Sequence, residues 1–317
     1  MTRIGLTGAK GFIGRNLLLH LAAADEGQLR LLVRTSSLAL EGRLPETAEV
    51  VRGDLASLRV CEQFVADLDV IVHLAHCNSP ATSESDLPGD ARQNLVPLLN
   101  LLQAIRSAGT HPHVVYFSSG GAVYAPREDR VPYRETDECA PVSSYGIQKL
   151  AAEHYLRTAA AKGVLTATVL RVGNAYGDLL PATRMQGLIG VAIRTLLEQR
   201  PVKLFGSLHN VRDYVHVDDV CRACCRVLRL PGPFDVYNVG TGVGHSVRQV
   251  LALIEERFGP AARYETADEA LEVDGLPEWS VLDVAKARCQ LGWEAEIALR
   301  DGIGEMIERQ RSGLKAG

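Results

Sequence analysis

Residues Arg3-Ile4-Gly5-Leu6-Thr7-Gly8-Ala9-Lys10-Gly11-Phe12-Ile13-Gly14 decide the fold. The first five read as a short apolar strand. The next seven carry glycines at the spacing G-x-x-G-x-x-G, and an apolar helical pattern runs on from them to Ala24. Glycines let a backbone approach a pyrophosphate, and the N-terminus of the helix that follows faces its negative charge. A lone glycine pattern says little. Here a second apolar strand at residues 28–34 completes a strand–helix–strand unit, which is the context that gives the motif meaning.

Outward from that unit the alternation continues. Apolar strands read at residues 50–55, 69–75, 113–118 and 166–172, with helices at 90–108 and 143–161. Strands written as continuous apolar runs, each followed by a helix, predict a parallel sheet covered on both faces. The expected fold is therefore α/β, a Rossmann-type doubly wound parallel sheet, with ligands bound beyond the carboxyl ends of the strands. After residue 174 the alternation breaks and Gly, Pro and Asp punctuation increases. A helix reads at 185–199. The expected division is a dinucleotide-binding domain of residues 1–175 and 211–240, and a smaller interwoven C-terminal α/β substrate domain of 176–210 and 241–317.

The bulk properties exclude several classes. A net charge of −4 calls for no nucleic-acid surface, and no apolar run reaches the length of a membrane span. The first residues enter a strand without a signal-peptide layout, and the seven cysteines are an odd number, so the expectation is a cytoplasmic protein with reduced thiols. Cys221, Cys224 and Cys225 lie at helical spacing without a completing ligand and read as small core residues, not a metal site. His73 and His76 follow a buried strand and read as structural.

A second stretch carries chemistry. In Ser143-Ser144-Tyr145-Gly146-Ile147-Gln148-Lys149, the tyrosine and lysine are four apart on a helix and so share a side. A nearby ammonium favours phenolate, so Lys149 is expected to lower the Tyr145 pKa and make it an acid/base group. Ser118, Ser119, Tyr145 and Asn174 all fall beyond expected strand ends. The second strand ends in Arg34 followed by Thr35-Ser36-Ser37, where an acid usually holds the ribose hydroxyls of NAD. An arginine there suits a 2′-phosphate and leans toward NADP.

Taken in order, several motifs resemble the extended short-chain dehydrogenase/reductase family, in its NAD-dependent nucleotide-sugar epimerase/dehydratase branch. The carriers are residues 7–14, Gly53-Asp54-Leu55, His73-Leu74-Ala75, residues 118–124, Tyr145 to Lys149, residues 170–177, residues 212–217, Tyr237-Asn238-Val239-Gly240, residues 283–287 and Leu291-Gly292-Trp293. The resemblance implies that Gly8, Gly11 and Gly14, with Phe12 and Ile13, cradle the pyrophosphate of NAD or NADP. It implies Asp54 and Leu55 at adenine, and Leu74, Ala75 and Ser118 along the cofactor. Tyr145 would be the acid/base, Lys149 its partner on the nicotinamide ribose, Asn174 a sugar-nucleotide contact and Arg212 a diphosphate contact. The implied reaction is epimerisation of a nucleotide sugar at C4 through a transient 4-keto sugar. The alternatives are an NADPH-dependent reductase of a 4-keto-6-deoxy nucleotide sugar and a non-catalytic dinucleotide-binding regulator. Relatives dimerise through two helices, so a homodimer through helices 94–108 and 144–161 is expected.

Three departures from the family pattern stand out. Gly120 occupies the place of the usual catalytic Ser or Thr, which leaves Ser119, and after it Ser118, to supply the hydroxyl. Gly120-Gly121-Ala122 stands where dehydratases carry Asp-Glu, so elimination of water is not expected. The run at 272–280 holds no second diphosphate-binding arginine. The sugar pocket is expected within 78–90 and 178–210.

Overall fold

The computed structural model describes residues 2–24, 26–34, 48–77, 83–178, 187–204, 206–259, 262–266 and 277–315. The first part of the chain contains β1 (Arg3–Thr7), α1 (Phe12–Ala23), β2 (Gln28–Val33), β3 (Glu49–Arg52), α2 (Leu58–Val65), β4 (Val70–His73), α3 (Leu87–Ala108), β5 (His113–Ser119), α4 (Ser144–Ala161) and β6 (Thr166–Val172). There follow β7 (Asn174–Tyr176), α5 (Leu188–Leu197), β8 (Val202–Leu204), β9 (Val211–His216), α6 (Val217–Leu228) and β10 (Phe234–Val239). The chain closes with β11 (Gly244–Ser246), α7 (Val247–Phe258), β12 (Tyr264–Thr266), β13 (Trp279–Ser280), α8 (Ala285–Leu291) and α9 (Leu299–Lys315).

Seven strands form one parallel sheet in the order β10-β6-β5-β4-β1-β2-β3. Its two faces are buried under separate cores, as the continuous apolar strands require. One core joins Leu17, Leu18 and Leu21 of α1 to Val220, Cys221 and Cys224 of α6 over Leu6, Leu31 and Val72. The other joins Phe64 of α2, Leu101 and Ile105 of α3, and Leu156 of α4 over Ile71, Val114 and Val169. The cysteines of α6 are thus core side chains. The chain leaves β1 toward β2 and β3 and then returns to β4 on the other side of β1, so a crevice opens at the carboxyl ends of β1 and β4.

The helix expected at 90–108 begins at Leu87, because Asp86 caps it by accepting from Gly89 N at 2.9 Å and a proline is tolerated in the first turn. The strands expected at 28–34 and 50–55 stop at Val33 and Arg52, which leaves Arg34, Asp54 and Leu55 beyond the strand ends.

The remaining elements build a second layer. β7 and β9 pair in parallel, and β11 and β13 flank β9 in a four-stranded sheet, while β8 pairs β12. A third core gathers Ile193 of α5, Ile254 of α7 and Ile303 of α9 around Tyr176 and Tyr214. Strand β9 therefore belongs to the small sheet while α6, which follows it, covers the large one. Among the described residues no helix is long and apolar enough to cross a membrane.

Candidate active site

At the crevice between β1 and β4 lies a cavity of ≈ 220 Å³. Gly8 and Gly11 line one side, Leu74 and Ala75 the other, and Arg34, Asp54 and Leu55 stand toward β2 and β3. The backbone here is too tightly folded for side chains. Gly8 has φ +75°, and a Cβ on it would stand 2.7 Å from Ala75 N; a Cβ on Gly14 would stand 2.2 Å from Gly8 O. Gly11 N donates to Gly8 O at 2.8 Å, closing the turn. α1 then starts with no side-chain cap and no acid in its first turn, so its leading N–H groups and the positive end of its dipole are left for an anion. This donor set fits the pyrophosphate of a dinucleotide. The side chains of Phe12 and Ile13 pack against the core, which leaves their backbone N–H groups at the head of α1; Gly8 and Gly11 line the cleft beside them and Gly14 holds the helix close. Thr35, Ser36 and Ser37 lie outside the described residues.

The Tyr145–Lys149 pair sits at the start of α4. Ser143 caps the helix by accepting from Gly146 N at 3.2 Å. Lys149 Nζ donates to Phe117 O at 2.8 Å and lies 5.7 Å from the Tyr145 ring centroid. The Ser119 hydroxyl stands close enough to the Tyr145 phenol to act on its titration. Loss of solvent pushes the phenol up to about 12, and the Ser119 hydroxyl only partly opposes this. Burial likewise brings Lys149 down to about 7, against the pull of Glu153 one turn along the helix. The expected lowering of the phenol by the ammonium is thus not what the packing produces. Desolvation penalises the charged form of both groups and is the largest influence on each.

Ser118 and Ser119 face opposite sides of β5, as neighbours in a strand must. Ser118 Oγ donates to Glu153 at 2.5 Å, and Glu153 pairs with the buried Arg171 at 2.7 Å. Arg171 also stacks over Tyr124, whose hydroxyl donates to Asn238 at 2.7 Å. The Ser118 hydroxyl is therefore engaged inside the wall, while that of Ser119 meets Tyr145. Gly120 N continues the ladder to Val172 O at 2.8 Å, and a Cβ on Gly120 would stand 2.6 Å from Leu282 Cδ1. The Leu282 side chain has taken the space that a residue 120 hydroxyl would need.

On the far side of Tyr145, segments distant in sequence converge. Asn174 is exposed on β7, and a Cβ on Gly121 would find its Oδ1 at 3.5 Å and Ser280 Oγ at 3.8 Å, both ordinary contacts, so this shelf is open. On β9, Arg212 donates to Val211 O at 2.9 Å and Glu278 O at 3.2 Å. Burial lowers its pKa, and among the described residues no carboxylate forms an ion pair with it. A desolvated guanidinium bonded only to carbonyls is suited to an anion. Its neighbour Asp213, to which sequence reading gave no role, accepts from Thr241 N and Oγ1 at 2.7 Å each, Gly242 N at 3.0 Å and Leu282 N at 3.3 Å. It fixes the turn that places Leu282 against Gly120. Residues 78–82, 179–186 and 205 of the expected sugar pocket, and 272–276 of the run without arginine, lie outside the described residues.

Sequence reading missed His76, Cys77, Gln93 and Pro97, which also line the cofactor cleft. Their nearness to Leu74-Ala75, and their place on the helix facing it, were the available signals.

Comparison with known proteins agrees with this geometry. Residues 4–240 match the model of the NAD dependent epimerase/dehydratase family. The chain is 34% identical to a UDP-glucose 4-epimerase of Mycolicibacterium smegmatis, over 96% of each chain. It superposes with a TM-score of 0.88 on a UDP-glucose 4-epimerase of Thermotoga maritima solved with UDP-glucose, at 30% identity over 99% of this chain and 100% of that one. A Thermus thermophilus UDP-glucose 4-epimerase in complex with NAD gives 0.87 at 30% identity, over 98% of this chain and 99% of that one. With its glycine turn, its Tyr145–Lys149 pair and this match over most of its length, the chain belongs to the NAD dependent epimerase/dehydratase family.

Proposed function

We propose that the protein is an NAD-dependent nucleotide-sugar epimerase that works at C4 through a transient 4-keto sugar. The observation that carries this reading is the Tyr145–Lys149 pair, with Lys149 Nζ held on Phe117 O and 5.7 Å from the phenol ring centroid, beside a backbone-walled dinucleotide cleft. When bound, the cofactor supplies a hydride acceptor that takes hydride from a sugar carbon and gives it back. The chain's own residues do the rest. Tyr145 takes the proton of the sugar hydroxyl and returns it, with the Ser119 hydroxyl close to the phenol. Lys149, tethered to Phe117 O, sits over the phenol ring, where its protonated form opposes the burial that holds the phenol neutral and favours the phenolate that accepts the proton. Arg212 holds the diphosphate and Asn174 the sugar nucleotide. Gly120-Gly121-Ala122 carries no acid/base pair to expel water, which favours epimerisation over dehydration.

Arg34 at the cleft gives a specific reason to keep a reductase in view. The purified protein is incubated with UDP-, dTDP- and GDP-sugars without added cofactor. Epimer formation with cofactor retained through gel filtration is expected. Protein that arrives empty and consumes NADPH against a 4-keto-6-deoxy nucleotide sugar would overturn the epimerase in favour of the reductase.

The expected homodimer through α3 and α4 belongs to the same reading. Val96 on α3, with Ile147 and Tyr155 on α4, are large apolar side chains left exposed. Sedimentation of a monomer would refute it. For the division into residues 1–175 with 211–240, and 176–210 with 241–317, the separate third core is the support, while β9 with Tyr214 lies with the smaller sheet and Ala287, Leu291 and Trp293 lie in the core of the large one. A cytoplasmic location suits seven free cysteines.

A further inference from the structure

His76 lines the cofactor cleft and meets Tyr145 edge to face, with ring centroids 5.0 Å apart and planes at 90°. Its Nε2 is buried and, among the described residues, has no hydrogen-bond partner. Such an atom costs free energy unless something completes it. The backbone that carries His76 is fixed on both sides. Ala75 N donates to Thr7 Oγ1 at 3.3 Å, and Cys77 N donates to Asn94 Oδ1 at 2.7 Å. Asn94 in turn donates to the buried Asp90 at 2.7 Å. The same carboxylate accepts from Ser144 Oγ at 3.0 Å and from Gln148, the residues on either side of the Tyr145 turn. One buried carboxylate therefore registers the His76 loop and the start of α4 against each other.

We propose that His76 is a positioning residue of this site: its imidazole sets the plane of the Tyr145 phenol, and its Nε2 is completed by a hydrogen bond with the dinucleotide that fills the cleft. Burial, with Lys149 and His73 adding to it, holds the ring neutral, down to about 2. It therefore adds no positive charge beside Lys149 and keeps one donor and one acceptor nitrogen. His73, by contrast, spends its Nδ1 on Thr7 Oγ1 at 2.9 Å and is structural.

The inference rests on Tyr145 being the acid/base, and its test separates the two. His76→Phe keeps a ring and removes the nitrogen; His76→Ala removes both. NAD affinity is measured by calorimetry on protein stripped of cofactor, and kcat and KM on NAD-loaded protein with whichever panel sugar the wild type epimerises. For His76→Phe, NAD affinity falls about tenfold, and kcat of loaded enzyme falls less than in His76→Ala because the ring against Tyr145 is kept. For His76→Ala, the same loss of affinity comes with a further drop of about tenfold in kcat at unchanged KM. Wild-type NAD affinity in His76→Phe overturns the Nε2 assignment, and wild-type kcat in loaded His76→Ala overturns the positioning role. If instead no sugar is turned over, or Tyr145→Phe matches wild type, the epimerase reading itself fails. The affinity arm still judges Nε2 in that case.

Discussion

The cofactor side and the sugar side of this site are made of different material. Toward the cofactor the wall is largely backbone: Gly8 and Gly11, the uncapped first turn of α1, and the Leu74-Ala75 strand end. It admits no added atom, since a Cβ at Gly8 or Gly14 would meet backbone. Toward the sugar the wall is side chains gathered from β5, α4, β7, β9 and β13, held by networks such as the one on Asp213. A backbone-built site is fixed by the geometry of one short segment. A side-chain site depends on groups that packing brings together from several segments.

That contrast can be broken by substitution. The largest effect is expected for Tyr145→Phe, which loses about 10³-fold in kcat while retaining bound NAD, because only proton transfer is removed. Loss of NAD on purification would place Tyr145 in the cofactor wall instead. Ser119→Ala is expected to lower kcat about 10²-fold, the usual scale for one donor at a reacting oxygen. The same loss in Ser118→Ala with none in Ser119→Ala would invert the assignment. Gly120→Ser, which restores the usual hydroxyl in sequence, should destabilise the fold by about 2 kcal/mol through overpacking on Leu282, read as a lower thermal midpoint with no gain in rate. A stable, faster Gly120→Ser variant would show that Leu282 yields. Arg212→Leu should raise KM for the nucleotide sugar about tenfold, the scale of one charge-assisted hydrogen bond, with kcat nearly constant. An unchanged KM would remove Arg212 from the substrate side.

The fold was legible because its signals are local. Gly8, Gly11 and Gly14 stand in one turn, and each apolar strand of the sheet is written as one run. Tyr145 and Lys149 were legible for the same reason, since four residues of helix bring them to one side. What the local reading misjudged was their electrostatics. Desolvation depends on everything packed around a group, so burial, not the i+4 spacing, sets Tyr145 up to about 12 and Lys149 down to about 7.

By itself, then, the amino-acid sequence determined the doubly wound sheet, the position of the dinucleotide cleft and the placing of Tyr145 and Lys149 on one side of a helix. Periodicity and glycine spacing are properties of neighbouring residues. Only the tertiary structure separates Ser118 from Ser119, because strand alternation sends one hydroxyl to Glu153 and the other toward Tyr145. It also decided that Leu282 closes position 120, that Asp213 holds Leu282 there, and that His76 meets Tyr145 through a frame centred on Asp90. Leu282 and Gly120 lie far apart in the chain, and contacts of that range exist only once the sheet and its second layer have packed.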